Sequence, residues 1–373
     1  MKILIICHEA SLTGAPLVAY RMAESLSMSN EVCILYMNDG PVLNLIKPRI
    51  SIIKYYQNEN SLFERVLNKI LNRLLKNKSQ FISSHHKKIN SFNPDLVILN
   101  SVASIPFLFQ GKLISRKIII YIHEMPFAIN RFFKKMGYKL ELFNLLKISK
   151  FLVVNNITKD FFVNEIAIPK DKIEILEPSI DDSFFVPQFL EFKYHILLSG
   201  QGGWTKGTDL VSQLSFHLQY LCENKQIRIA WVGEVEWTYI DQISYELNLA
   251  GVTNCEISFL GVLTDIKTVI SESKIFISLS RADAMQTACI EAMALGKPII
   301  CFRGSGGIAS LIENKCGLVV AYPDLNKFAE SILYLLDDQV AYNRMSEKAK
   351  ELAKQFCIQK KGNELGEVLK KDF

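Results

Sequence analysis

The residues of this 373-residue chain that bear most directly on chemistry are Asp283 and Glu291, eight positions apart, and Lys206, which follows a glycine-rich run. Asp283 lies in the polar stretch Ser280-Arg-Ala-Asp-Ala-Met-Gln286, and Glu291 lies one turn into a helical pattern that opens at about Thr287 and stops at Gly296. Carboxylates placed there can accept sugar or ribose hydroxyls, while the free N–H groups of the first helical turn attract phosphate. The same spacing also suits a helix N-terminal charge and a solvent-exposed Glu, so spacing alone leaves both readings open. Lys206 belongs to Ser199-Gly-Gln-Gly-Gly-Trp-Thr-Lys-Gly-Thr-Asp209, which lies between a strand pattern and a helix pattern. Such a loop brings backbone N–H groups and one cation to a diphosphate, or is simply a surface turn carrying a lysine. It is neither a P-loop nor a G-x-G-x-x-G fingerprint, because Thr205 stands where both need glycine. In the first half, His8-Glu-Ala-Ser-Leu-Thr-Gly-Ala-Pro16 offers Gly14 for close backbone approach, and Tyr121-Ile-His-Glu-Met-Pro126 sets His123 at a strand end.

The elements that must position these residues alternate. Lys2–Cys7, Glu31–Tyr36, Asp95–Leu99, Lys117–Ile122 and Phe151–Val154 are short β-rich runs, several separated by helix-length segments such as Leu17–Ser27. Two prolines and a cluster of acidic and small residues interrupt the periodicity over Ile175–Pro187, which predicts the linker. The alternation restarts with Tyr194–Ser199, Arg228–Val232, Glu256–Leu260, Lys274–Leu279, Pro298–Phe302 and Leu318–Val320. This α/β pattern predicts two Rossmann-like doubly wound domains. The first covers 1–184, with a C-terminal helix at about 355–373 packing back on it; the second covers 185–354. Ligands of such sheets collect at the carboxyl ends of strands, where all the loops above fall.

These segments resemble the retaining family 4 glycosyltransferases, whose E-x7-E signature pairs a loop Glu on the donor sugar with a helical Glu on the nucleotide ribose. Glu291-Ala-Met-Ala-Leu-Gly-Lys-Pro298 matches the second half, Asp283 stands where the first Glu is usual, and Ala284-Met-Gln-Thr287 stands where Gly-Phe-Gly is common. Lys206-Gly207 matches the family's diphosphate lysine, but Gln201 replaces its arginine, leaving Arg281 or Arg303 as candidate substitute cations. Phe259-Leu-Gly-Val262 resembles the strand end whose backbone reads the base, Arg303-Gly-Ser-Gly-Gly307 the glycine turn facing the donor, and Glu177-Pro-Ser-Ile-Asp181 the family's Asn-Gly-Val-Asp. After the glycine turn, Ala309-Ser310 replaces the usual Pro-Glu. The resemblance implies the GT-B fold, two Rossmann-like domains facing each other across a cleft. It implies His123 and Asp283 in catalysis, and Gly14, Gln201, Lys206, Gly261, Met285, Gln286, Thr287 and Glu291 in donor binding. It also implies a nucleotide-diphosphate sugar as donor substrate, no cofactor and no metal, in keeping with the absence of a D-x-D pair.

Composition bounds the reading. An apolar share of 49% with 22% charged residues is that of a well-buried globular chain. The eight cysteines form no C-x-x-C pair and read as reduced core residues of a cytoplasmic protein. Neither a signal-peptide core nor an apolar run long enough to span a membrane occurs. Residues 1–185 carry 24 Lys and Arg against 16 Asp and Glu, a balance of about +8, whereas 186–373 balance at about −3. Much of the excess lies on an amphipathic pattern at 61–78 and on Asn130–Lys150. The 61–78 helix either lies on an anionic membrane, making the protein peripheral on the cytoplasmic face and bringing a lipid-linked acceptor to the site, or packs with a solvated charged face. No nucleic-acid motif accompanies the charge. The function expected is retaining hexosyl transfer to a saccharide or lipid-linked acceptor in cell-surface polysaccharide synthesis. The alternatives are a sugar-nucleotide epimerase or hydrolase on the same fold and a non-catalytic binding subunit.

Overall fold

Runs such as Lys2-Ile-Leu-Ile-Ile-Cys7 are apolar without alternation, so strands made from them must be covered on both faces. In the computed structural model, which describes residues 1–54, 88–89, 91–109, 117–188, 190–222 and 225–372, parallel sheets meet that requirement. The basic pattern at 61–78 lies outside the described residues.

The first sheet contains β1 (Lys2–Cys7), β2 (Glu31–Tyr36), β3 (Ser51–Lys54), β4 (Leu96–Asn100), β5 (Lys117–Ile122), β6 (Lys150–Val153) and β7 (Ile173–Ile175), in the order β3-β2-β1-β4-β5-β6-β7. All its pairs are parallel. The second contains β8 (Tyr194–Ser199), β9 (Ile227–Val232), β10 (Cys255–Phe259), β11 (Ser273–Ser278), β12 (Ile299–Phe302) and β13 (Gly317–Val320), in the parallel order β10-β9-β8-β11-β12-β13. The strand order reverses between β1 and β4 and again between β8 and β11, and these are the switch points where open α/β sheets hold ligands.

Among the described residues, α-helices longer than one turn connect the strands as α1 (Gly14–Leu26), α2 (Pro126–Met136), α3 (Asn156–Asn164), α4 (Val211–Leu221), α5 (Trp237–Leu249), α6 (Ile266–Ser271), α7 (Thr287–Ala294) and α8 (Gly307–Ile312), and follow the last strand as α9 (Leu325–Asp337), α10 (Gln339–Ala353) and α11 (Ile358–Asp372). In α9, Leu325, Phe328, Ala329, Ile332, Leu335 and Leu336 form a buried stripe, and Asp324 caps the first turn by accepting from the Lys327 N–H at 2.8 Å. That stripe packs with Leu214 and Leu218 of α4 and Ile196, Ile277 and Ile300 of the sheet. The other core is aromatic beneath β5 and β6, where Phe143 stacks on Phe133 at 4.8 Å and meets Phe162 edge-on at 4.9 Å.

Contacts divide the chain into unit 1, Met1–Leu176 with Gly362–Phe373, and unit 2, Glu177–Lys361. The first boundary falls eight residues before 184/185 for a local reason. The Ile180 N–H donates to the Phe356 carbonyl at 2.9 Å and Lys361 pairs with Glu177 at 3.0 Å, which holds 177–182 to unit 2. β7 ends on Ile175, the first residue of the segment expected to be linker. α1 begins at Gly14 rather than Leu17, because Pro16 falls in the first turn, where a missing N–H costs nothing. Among the described residues no helix is long and apolar enough to cross a membrane.

Candidate functional site

In unit 2 the loops leaving β8 and β11 meet at the switch point, and glycine lets them meet. Gly207, at φ +70°, passes so close to the end of β11 that a Cβ would stand 2.2 Å from the Leu279 carbonyl oxygen. Gly200 leaves the space that the Lys206 side chain fills: a Cβ there would lie 2.8 Å from Lys206 Cε. The Lys206 ammonium thereby reaches Asp283, and the two form a partly buried ion pair. Behind Asp283 runs the 303–307 turn. The Asp283 N–H donates to the Ser305 carbonyl at 2.8 Å and the Gly307 N–H to the Ala284 carbonyl at 2.9 Å, so the Asp283 backbone is held from its far side.

Helix α7 is fastened to the same place. Gln286 Nε2 donates to the Ser199 carbonyl at 2.7 Å, tying the helix start to the end of β8. Met285 and Gln286 are buried, while Thr287 opens the helix and is partly exposed. Glu291 is only 6% exposed, which excludes the reading of an exposed helix-surface Glu. Burial raises the Cys289 thiol well above its usual range, and after burial and Cys301 it senses the charges of Asp283, Lys206 and Glu291. All three charged groups therefore lie around the first turns of α7. Gln201 is exposed on its loop, and the Gly261 carbonyl accepts the Gly233 N–H at 2.8 Å at the ends of β9 and β10.

Neither substitute cation named from the sequence is uncommitted. The Arg281 guanidinium holds both Asp209 carboxylate oxygens at 2.7 Å, donates to the Trp204 carbonyl at 2.7 Å and to Tyr322 Oη at 3.0 Å, and lies 4.9 Å over the Trp204 ring. Arg303 pairs with Glu313 at 2.5 Å. Arg281 thus braces the glycine-rich loop against the Asp283 loop.

Unit 1 gathers a second polar cluster at the ends of β1, β4 and β5. His123 Nε2 lies 2.9 Å from Asn100 Oδ1, and Asn100 Nδ2 donates to the Ala15 carbonyl at 3.0 Å. Because the amide oxygen can only accept, Nε2 carries the proton, and one buried asparagine joins His123 to the Gly14 end of α1. Burial, and then the neighbouring His8, lowers the His123 imidazole to about 3, so it is neutral near pH 7. Burial raises the Glu124 carboxyl against hydrogen bonds from Ser101 Oγ and the backbone N–H of Val102 and His123. Ser101 itself adopts φ +84°, a left-handed conformation unfavourable for a side-chain residue. Glu9 is lowered to about 2, first by its hydrogen bond with His8 and then, against burial, by Ser11, whose hydroxyl lies at 2.7 Å.

Of the residues singled out from sequence, Lys206, Asp283, Met285, Gln286, Thr287 and Glu291 come together in unit 2, with Gly261 at the neighbouring strand ends. His123 and Gly14 are joined in unit 1. Sequence reasoning passed over Glu9, Asn100, Ser101 and Glu124. The signal that picked out His123, a polar residue at a strand's carboxyl end, applies to each of them.

Residues 179–352 match the family described as "Glycosyl transferases group 1". A protein of Haemophilus influenzae described as an uncharacterized glycosyltransferase is 27% identical over 116 residues, 30% of this chain, which spans about a third (33%) of that relative's length. The fold is similar to that of Anabaena HepE, solved with UDP-glucose, at TM-score 0.77 and 16% identity over 100% of both chains. It is also similar to sucrose-phosphate synthase of Thermosynechococcus elongatus, at TM-score 0.74 and 16% identity over 99% of this chain and 98% of the other. The chain thus has the GT-B fold, two Rossmann-like units, and the stretch that matches the glycosyl transferases group 1 model lies within the second.

Proposed function

We propose that the protein is a retaining, metal-independent hexosyltransferase. On this reading it moves a hexosyl unit from a nucleotide-diphosphate sugar to a saccharide or lipid-linked acceptor, in the cytoplasm, during cell-surface polysaccharide synthesis. The observation that carries the reading is the Lys206–Asp283 pair at the switch point of the second sheet, with Glu291 buried on the helix that follows. The β8 loop brings one ammonium to a diphosphate, where the oxygen that leaves the anomeric carbon gathers negative charge, and a fixed cation stabilises that charge. Asp283 offers its carboxylate to sugar hydroxyls beside that cation, and Glu291 offers its own to the ribose. Neutral His123, its Nε2–H held by Asn100, keeps Nδ1 as an acceptor for a sugar hydroxyl without adding charge. The fold shared with HepE, whose crystal structure holds UDP-glucose, supports a nucleotide sugar as donor.

The test is a panel of nucleotide sugars with saccharide and lipid-linked acceptors, following the anomeric configuration of the product by NMR for wild type and Glu291→Gln. An α-linked donor is expected to give an α-linked product, with transfer reduced at least tenfold in the variant. Epimerised free sugar in the absence of acceptor, or undiminished transfer by Glu291→Gln, overturns the reading.

A further inference from the structure

Unit 2 carries a second concavity at the opposite end of its strands. Lys206 and Asp283 follow β8 and β11, whereas Gly296 and Lys297 precede β12 and Ser271 precedes β11, so a groove lined by the latter three lies at the amino ends. The groove encloses about 710 Å³, within the range of small-molecule sites, and α10 with Phe185, Pro187, Gln188, Leu190 and Phe192 form its other walls.

Those walls are of two kinds. Leu190 and Phe192, 41% and 43% exposed, continue with Phe185 and Tyr342 as an apolar side. The groove also carries Lys297, Lys350, Lys354 and Lys360, with the Lys297 ammonium 4.7 Å over the Phe192 ring, and among the described lining residues there is no carboxylate. Lys297 and Lys350 have duties in the fold: Lys297 Nζ donates to the Ser271 carbonyl at 2.9 Å, and Lys350 packs over the Gly296 end of α7. Among the described residues Lys350 pairs with Glu347 at 2.9 Å and Lys354 with Glu351 at 2.6 Å, surface contacts one turn back that yield readily to a stronger anion, and Lys360 is exposed. An apolar wall left in water beside lysines held by weak surface pairs is the complement of a molecule with both characters.

We propose that this groove binds a single-chain amphiphile with a phosphate-type head, the chain lying over Leu190 and Phe192 and the head between Lys354 and Lys360. This site is separate from the donor loops, and its occupancy does not depend on the donor reading.

The experiment titrates the full chain with dodecyl phosphate below its micelle concentration, by calorimetry, with inorganic phosphate and dodecyl maltoside as head-only and neutral-head arms. Saturable one-to-one binding with a negative heat-capacity change is expected, at least tenfold tighter than either arm. Lys354→Gln with Lys360→Gln should weaken it at least tenfold, as should Leu190→Ser with Phe192→Ser, without changing UDP binding. Cys357 lines the groove, so the ligand should slow its alkylation, read by peptide mapping, and leave Cys222 unaffected. No saturable binding, equal binding of inorganic phosphate, or undiminished binding by the lysine variant overturns the proposal.

Discussion

Lys206 and Asp283, 77 positions apart in the chain, are ion-paired across the two loops that meet at the switch point of the second sheet. On the proposed reading, a cation for the diphosphate and a carboxylate for the sugar hold each other in place before any donor arrives. Each is also the other's competitor, so the two substitutions should diverge. Lys206→Ala should weaken UDP binding by about 1.5–3 kcal/mol, the usual worth of a hydrogen bond to a charged group, or roughly tenfold or more. Asp283→Asn removes only the competitor and should leave UDP binding at least as tight, while lowering turnover. Calorimetry with UDP beside a transfer assay distinguishes the outcomes, and equal weakening of UDP by both variants would make the pair mere architecture.

Arg281 gives the contrasting case. Its bidentate bond to Asp209 is partly buried and ties the glycine-rich loop to the Asp283 loop. Arg281→Lys loses the planar fork and the stacking on Trp204 and Tyr322. It is expected to cost about 1–3 kcal/mol of stability, seen as a lower Tm, with UDP affinity changed less than in Lys206→Ala. A variant with wild-type Tm and lost UDP binding would return Arg281 to the diphosphate.

The sequence made the strands legible because parallel strands buried on both faces leave unbroken apolar runs, and eleven of them stand within a residue of their expected ends. β3 and β7 were missed because Ser51–Lys54 and Ile173–Ile175 are short and carry charged or polar residues at the sheet edges. Glu291 and Lys206 stood out because a helix start and a glycine-rich loop are local signals. The pairing of Arg281 with Asp209 was not legible, since nothing in either segment encodes a partner 72 positions away. Asn100 escaped for the same reason: its importance comes from β4 lying between β1 and β5, a fact of strand order rather than of local pattern.

His123 and Glu124 are neighbours whose titrations oppose each other. Burial lowers His123 to about 3, below its unfolded value of about 6.5, so its contribution to stability is full above pH 6.5 and is lost as pH falls toward 3. Burial raises Glu124, so its contribution is full below the unfolded value of about 4.3 and is lost as pH rises through the folded one. His123→Asn keeps a donor for Asn100 without a titrating ring. The stability advantage of wild type over this variant should be constant above pH 7 and shrink at lower pH, by at most about 1.4 kcal/mol per unit. Denaturant midpoints from pH 8 to pH 4 measure it, and a flat difference refutes the assigned titration.

Gly306 tests whether the turn behind Asp283 is as tightly held as its contacts imply. A Cβ at this position would stand 1.6 Å from the Asp283 carbonyl oxygen, and that oxygen is backbone, so it cannot rotate away as a flexible side chain would. Its movement would strain the Asp283 N–H bond to Ser305 and the Gly307 N–H bond to Ala284, and would shift the carboxylate that Lys206 holds. Gly306→Ala should therefore cost more than a surface substitution, on the order of 2–4 kcal/mol, through backbone displacement rather than lost contacts. Gly304→Ala is the control in the same turn: nothing lies within 4 Å of its Cβ, although φ +74° still makes it strained, so a cost of only about 1 kcal/mol is expected. Chemical denaturation ranks the two for stability, and the transfer assay ranks them for activity. If Gly304→Ala proved the more damaging in both, the close approach at Gly306 would not be what positions Asp283.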